Sequence, residues 1–360
     1  MRLNWLLIFI PAALALSWHG ANSIVIFAAS ALAIVPLAAL MGEATDALAE
    51  FVGPAWGGLL SASLGNAPEI IIGVFALRQG LVSVVKSSIV GSILGNLLFG
   101  LGMAMIAGGI RNGTQQFDML VSNMNAGLLM LAASGLIIPA VFYHTSARVT
   151  HAISLEIAAV LCLVYMGSLL FTLLTSRPAL GKEKVEAEVP GATEPPGAEP
   201  RWGKGKAIAI LAVVAVALAV MSEILTDAVE PASRHLGLTP VFAGVFLLAL
   251  VGNVAELFNA VRFARMDKMD LTLGVTVGAS LQVALFVAPV LVFVAVLMRQ
   301  PMDLVFTRFE IVAVVLSVVL ARQLIGNGKS NWLEGLMLVG VYVMLGIGFF
   351  YLPLDPPPLP

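Results

Sequence analysis

Apolar residues run along this chain in long blocks separated by short polar breaks. A helix that crosses a bilayer needs about 20 mostly apolar residues. Blocks of that kind predict eleven helices, at 3–18, 21–48, 54–78, 84–108, 117–142, 150–176, 205–230, 240–264, 271–298, 305–325 and 331–352. The first is short. Arg2 ahead of it, with small residues at Ala13 and Ala15, also fits a secretory signal peptide. A full span begins within a few residues, which favours an extra N-terminal helix. One stretch, 177–206, has almost nothing to bury: Pro178, Pro190, Pro195, Pro196 and Pro200 stand among Glu, Gly and Lys. It reads as a solvated, flexible linker with six helices before it and five after.

Composition closes off the soluble alternatives. The chain is 59% hydrophobic and 11% charged, whereas soluble domains run nearer 45–50% and about 25%. Over 360 residues that is more apolar surface than a globular core hides, so lipid must be the solvent for much of it. The formal charge of −2 comes without any basic block that would neutralise phosphates, which excludes a nucleic-acid partner. The single cysteine, Cys162, forms no internal disulfide, and the four histidines have no zinc spacing. The expectation is an all-α, multi-pass integral membrane protein. A cytoplasmic N-terminus and linker place Arg111, Arg262, Arg265, Lys268, Arg322 and Lys329 inside, against Arg78, Lys86, Arg148, Arg234, Arg299 and Arg308 outside. With the linker's own basic residues, this obeys the positive-inside rule. The short loops suit a prokaryotic plasma membrane, and a homo-oligomer is left open.

A shift of 187 residues lays 41–99 over 228–286 without a gap. Glu43 meets Glu230, Gly65-Asn66 meets Gly252-Asn253, Glu69 meets Glu256, and Arg78 meets Arg265. Glycine matches are cheap in membrane helices, but Asn and Glu are scarce in mid-span. Each copy holds five helices, an odd number, so the second enters the membrane from the opposite side. The predicted organisation is an N-terminal helix over 1–20, a first repeat over 21–176, a linker over 177–204, an inverted second repeat over 205–352 and a tail over 353–360. Inverted repeats of this kind build transporters that alternate access around a midplane site.

The chemistry sits at the matched motifs GNAPE (65–69) and GNVAE (252–256). A carboxylate at bilayer depth costs roughly 2.5–3.5 kcal/mol on insertion scales, so Glu69 and Glu256 need a partner or an aqueous cavity. Asn66 and Asn253 share a helix face with them. Gly65 and Gly252 loosen the backbone, and Pro68 removes a hydrogen bond and frees carbonyl oxygens. Such a set suits a hard cation such as Ca²⁺, which takes six to eight oxygen ligands. The next helices add Ser92 and Asn96 in GSILGN, and Ser280 and Gln282 in GASLQ, where the gapless match is offset. Each of these four has a bland alternative, a serine bonding back to its own helix or an amide serving as a neighbour of the site.

Two acid rows, Glu43/Asp46/Glu50 and Glu223/Asp227/Glu230, each lie along one helix face. They predict a negative vestibule that concentrates cations, or simply solvated helix ends; Glu223 lies deepest in its predicted helix. The pairs Gly91/Gly95 and Gly274/Gly278 suit close helix packing, the histidines fall near helix ends, and Glu156 and Glu334 read as structural.

GNAPEIIIG with GSILGNLLFGLG, and GNVAELFNA with GASLQVALFVAPVLV, resemble the paired repeat motifs of the cation/proton exchangers, the CAX branch of the calcium/cation antiporter superfamily. The resemblance covers helices 2–11. It implies an eleven-helix fold with one extra helix and two inverted five-helix repeats, and exchange of cytosolic Ca²⁺ for external or lumenal H⁺ with no resident cofactor. It implies that Glu69 and Glu256 bind Ca²⁺ and H⁺ in turn, that Asn66, Asn253, Asn96 and Gln282 line the site, and that helices 2 and 7 glide to switch access. Two features depart from the pattern: the Pro-rich linker of mixed charge, and Ala279 where a serine is usual.

Charge balance supports the same mechanism. Two carboxylates are neutralised by one Ca²⁺ or by two protons, and burial disfavours leaving both bare. Competition for one site plus alternating access is antiport. The rivals are a Na⁺/Ca²⁺ exchanger of the same superfamily, which the amides Asn96 and Gln282 argue against, and a passive cation channel, which has no need of two-sided symmetry. Neither H-E-x-x-H nor G-x-S-x-G occurs to support an intramembrane enzyme.

Overall fold

A computed structural model describes residues 3–52, 57, 60, 61, 63–142, 147–175 and 202–352. Most of the predicted linker, its five prolines, the C-terminal tail and His144 lie outside the described residues. The described residues are mostly helical, joined by short turns and loops, with one two-residue antiparallel pairing in which Gln115 lies opposite Ser330 (β1, Gln115–Gln116; β2, Lys329–Ser330).

Eleven helices appear among the described residues. They are α1 (Phe9–Trp18, entered through a 3₁₀ turn from Leu3), α2 (Ser23–Val52), α3 (Ala67–Arg78), α4 (Val82–Asn112), α5 (Met119–Val141), α6 (Ala147–Thr175), α7 (Lys204–His235), α8 (Pro240–Arg265), α9 (Met269–Leu297), α10 (Arg308–Ile325) and α11 (Trp332–Phe350). Eight are long and apolar enough to cross a membrane on those grounds alone. The exceptions have local causes: α1 is short, α3 has been cut to 12 residues, and α10 carries Arg308, Glu310 and Arg322 within its 18.

The cut in α3 is written in its sequence. Residues 60, 61, 63 and 64 are helical, Gly65 and Asn66 form a turn, and the helix restarts at Ala67 with Pro68 in its first turn. Proline is tolerated there because its missing N–H has no helical partner anyway. The matching α8 runs through Gly252-Asn253 without a break; its irregularity is a π-helical stretch at Ala243–Leu248. Further π turns lie in α4 at Gly95–Gly100 and in α9 at Gly274–Gly278 and Val283–Val287. Such turns cluster at functional sites, where they re-aim side chains.

Two hydrophobic cores hold the bundle. The larger joins α3–α6 with α8–α11 through residues such as Leu94, Leu98, Leu101, Leu285 and Val292. The smaller unites α1, α2 and α7 through Ala13, Ile34, Met41, Leu218, Met221 and Leu225, and touches the larger one at Ile72, Val84, Leu248 and Val251. In lipid, helices associate through close packing rather than hydrophobic expulsion. The tightest approach joins α4 to α8: a Cβ on Gly91 would lie 2.1 Å from the Val245 carbonyl oxygen, and one on Gly244 would lie 2.6 Å from Ser87 Cβ. Of the predicted small-residue pairs, Gly91 makes this contact, whereas Gly95 and Gly274 face open space.

Candidate cation-binding site

α3 and α8 bring the two G-N-x-x-E motifs together at the centre of the bundle. Gly252 lies against the Glu69 side chain, so that a Cβ there would sit 3.4 Å from Glu69 Cγ and 3.5 Å from Oε1. Glu256, one turn further along α8, is close enough to act electrostatically on Glu69. Three of their four carboxylate oxygens are orphans. Glu69 Oε1 and Oε2 and Glu256 Oε2 are buried with no hydrogen-bond partner, although buried polar atoms in native structures are nearly always paired.

The neighbouring amides are organised around them. Asn66 donates through Nδ2 to Gln282 Oε1. Asn96 donates to Asn253 Oδ1 at 3.2 Å. Asn253 in turn donates to Ser92 Oγ at 2.8 Å and to the Ala249 carbonyl at 2.7 Å. All five side chains are at most 6% exposed. In each cross-repeat amide pair, one member gives up its oxygen and the other keeps it. Gln282 and Asn253 accept, while Asn66 and Asn96 donate and hold their Oδ1 lone pairs in reserve. Among the described residues no three His, Cys, Asp or Glu converge, so a cation here meets two carboxylates and neutral oxygens.

Water reaches the site from one side. A cavity of about 1200 Å³ is lined by Asn66, Glu256 and Gln282 at its inner end and by Glu43, Asp46, Asn259 and the exposed Arg111, Arg262 and Arg265 further out. Glu69 faces a separate space of about 20 Å³, shared with Ile72, Ser88, Ser92, Gly252 and Leu291. That is room for about one water molecule.

The opposite side is narrower at Glu69 and is crossed by polar contacts. Beyond α3, Gln79 Nε2 donates to Asp227 Oδ1 at 2.6 Å and to Thr226 Oγ1 at 2.8 Å, and Arg78 stands 3.8 Å from Glu223. Lys86 and Asp303 pair at 2.6 Å on the same side.

The predicted site residues therefore divide. Glu69, Glu256, Asn66, Asn253, Asn96, Gln282, Ser92 and Gly252 come together. Gly65 forms the turn that breaks α3, where a Cβ would lie 2.6 Å from the Ser61 carbonyl oxygen. Ser280 takes the bland alternative: it donates to the Thr276 carbonyl at 2.9 Å and lines neither space. The acid rows lie at opposite ends, Glu43 and Asp46 in the open cavity and Glu223, Asp227 and Glu230 at the closed end. Glu50 is exposed and outside the cavity lining. Glu223, the deepest of its row along the helix, is half exposed on the face of α7 beside Arg78.

Sequence reasoning overlooked three participants. Gln79 latches the closed side, and its signal was a polar residue directly after the repeat-matched Arg78. Asn259 lines the cavity one turn beyond Glu256, and its signal was the helical spacing from the motif. Glu310, 2% exposed, accepts from Ser87 Oγ at 2.6 Å and from Thr307 N at 2.8 Å, a structural carboxylate that caps α10 and ties it to α4.

Known proteins resemble this chain in sequence and in fold. The family model described as sodium/calcium exchanger protein matches residues 22–174 and again 206–351. The chain is 43% identical over 365 residues to a protein of Aphanothece halophytica named Ca(2+)/H(+) antiporter, covering 98% of this chain and 96% of the relative. It is 38% identical to the Bacillus subtilis Ca(2+)/H(+) antiporter ChaA, across 92% and 93% of the two chains. Among solved structures, that of native YfkE superposes with a TM-score of 0.84 at 33% identity, covering 98% of this chain and all of the other. The H+/Ca2+ exchanger CAX, at 14% identity and a TM-score of 0.71, shares the fold.

Proposed function

The chain belongs to the sodium/calcium exchanger protein family, and we infer that its site exchanges Ca²⁺ for H⁺ through the paired glutamates. It is an integral, multi-pass membrane transporter, and its relatives named Ca(2+)/H(+) antiporter match it along nearly their whole length. The observation that carries the site reading is the set of three orphan carboxylate oxygens on Glu69 and Glu256. Two buried negative charges with no partner call for a counter-charge, and one Ca²⁺ or two protons supply it equally. Because both cargoes satisfy the same oxygens, they exclude each other.

Ca²⁺ takes its remaining ligands from neutral oxygens. Asn66 Oδ1 and Asn96 Oδ1 are the side-chain candidates, held in place by Gln282 and Asn253, and Ser92 steadies Asn253. The positive-inside rule makes the Arg111 end cytoplasmic, so this conformation loads Ca²⁺ from the cytoplasm and has its outer side closed by Gln79 and Arg78. The bacterial and cyanobacterial relatives fit a prokaryotic plasma membrane. Switching follows when α2 and α7, which share their own core with α1, slide along the α3–α4–α8–α9 wall. The charge balance sets the exchange at two protons per Ca²⁺.

Proteoliposomes with an imposed pH gradient test this reading. Proton-driven Ca²⁺ uptake by the parent, lost by about a hundredfold or more in Glu69→Gln and in Glu256→Gln, is the expected result. Uptake that follows a Na⁺ gradient instead, or that survives both substitutions, overturns it. A reversal potential that demands a third proton overturns the stoichiometry.

A further inference from the structure

The two matched motifs continue differently on the side from which each is approached. Along α8, Glu256, Asn259 and Arg262 are spaced i, i+3, i+6 and all three line the large cavity. The equivalent positions along α3 are Glu69, Ile72 and Phe75. Ile72 is 3% exposed and walls the small space beside Glu69. One carboxylate thus has a polar step leading away from it, and the other has an apolar one.

Asn259 makes no hydrogen bond to any described residue, unlike the amides of Asn66, Asn96 and Asn253. It is half-buried in the cavity wall with its amide unspent. A Ca²⁺ ion moving from bulk water to the glutamate pair must exchange water ligands for protein oxygens. An unengaged amide oxygen one helical turn before the carboxylate replaces one of those waters partway. Isoleucine at the matched position replaces none.

We propose that Asn259 is a staging ligand for Ca²⁺ on the Arg111 side, and that the Asn259/Ile72 difference makes the two faces of the transporter unequal in apparent Ca²⁺ affinity. The inference rests on the Ca²⁺/H⁺ exchange reading of the same site. Asn259 assists loading from one face only, so its removal weakens capture there without changing the site that both faces share.

The test measures Ca²⁺ uptake in everted and in right-side-out membrane vesicles made from the full-length chain. Labelling of Thr114→Cys in a Cys162→Ser background identifies the Arg111 face in each preparation. Asn259→Ile is expected to raise KM about three- to tenfold for Ca²⁺ offered at the Arg111 face, with KM at the other face and maximal rate held. Asn259→Gln, which keeps an amide, returns KM most of the way to the parent value. The reciprocal Ile72→Asn lowers KM at the opposite face. A shift that is equal on both faces, or absent from both, overturns the proposal, because a structural role moves both faces together. Parent vesicles with proton-driven uptake and an unshifted Asn259→Ile sink this inference alone. Parent vesicles without such uptake overturn the exchange reading and this inference with it.

Discussion

The two halves of the molecule carry one motif and fold it in two ways. In the first half the helix stops at Gly65-Asn66 and restarts with Pro68 in its first turn, so Glu69 lies near a helix start. In the second the helix runs on through Gly252-Asn253 and places Glu256 in its interior. Glu69 faces a space the size of a water molecule, while Glu256 borders a cavity some sixty times larger. Inverted symmetry thus supplies two equivalent carboxylates, and the conformation makes them unequal. A carrier in one of its end states must look like this, with one copy of the site open and the other shut.

The largest test of that inequality is pH. On the proposed reading protons compete with Ca²⁺ for both carboxylates, and acidifying the Arg111 side is then expected to weaken Ca²⁺ binding there by up to about a hundredfold per pH unit, the limit in which two protons are displaced. Ca²⁺ affinity measured against pH on each face separately reads this out. Acidifying only the closed side leaves binding from the open side unchanged.

Next come the amides that orient others. Gln282→Ala removes the acceptor that holds Asn66, and a 10- to 100-fold loss of Ca²⁺ affinity is expected, roughly that of other groups that orient a metal ligand. Ser280→Ala, two residues earlier in α9, is expected to bind like the parent because its hydroxyl serves only its own helix. Isothermal titration of the two variants side by side separates them.

The motif glycines give a smaller and qualitative contrast. A methyl group at Gly65 meets a backbone oxygen at 2.6 Å and costs about 1–3 kcal/mol of strain, so Gly65→Ala lowers the melting temperature. A methyl group at Gly252 meets the Glu69 side chain at 3.4–3.7 Å, ordinary contact distances. Gly252→Ala therefore leaves the melting temperature near that of the parent and shows its effect in Ca²⁺ affinity. The smallest effect belongs to the exposed Arg78–Glu223 pair. Arg78→Ala is expected to change stability by less than about 1 kcal/mol, readable as a melting shift that vanishes in high salt.

Most of this architecture was legible in the chain. Hydropathy marks membrane helices plainly because lipid demands long apolar runs, and the eleven predicted ranges correspond one to one with α1–α11. The glutamates were legible because an acid in mid-span is expensive and two at matched positions are doubly so. The π turns were not. Each takes an extra residue into a helical turn without any marker residue: the one in α4 begins at Gly95 and includes Asn96, and those in α9 lie on either side of Gln282. The two amides reach the same site without sharing an alignment column: a gapless shift leaves Gln282 opposite Gly95, and nothing in the spacing of the motifs marks that offset. The exposure of Glu223 was not legible either, because position along α7 does not say which face of the helix looks outward.

The separate core of α1, α2 and α7 bears on how such a machine avoids wasting its gradient. The buried face of α2 is paved with Ala29, Ala33, Ala38, Ala44 and Ala47, and α7 adds Ala228 and Ala232. Between them stand the larger Ile34, Leu37, Met41, Leu218, Met221 and Leu225, so small residues bring the two helices close and large ones interlock them into one unit, and shape alone does not decide when that unit moves. The brake has to be electrical. On the proposed mechanism the two carboxylates stay on α3 and α8 while α2 and α7 slide over them, so covering them bare makes an empty stroke expensive and a neutralised site lets the pair move.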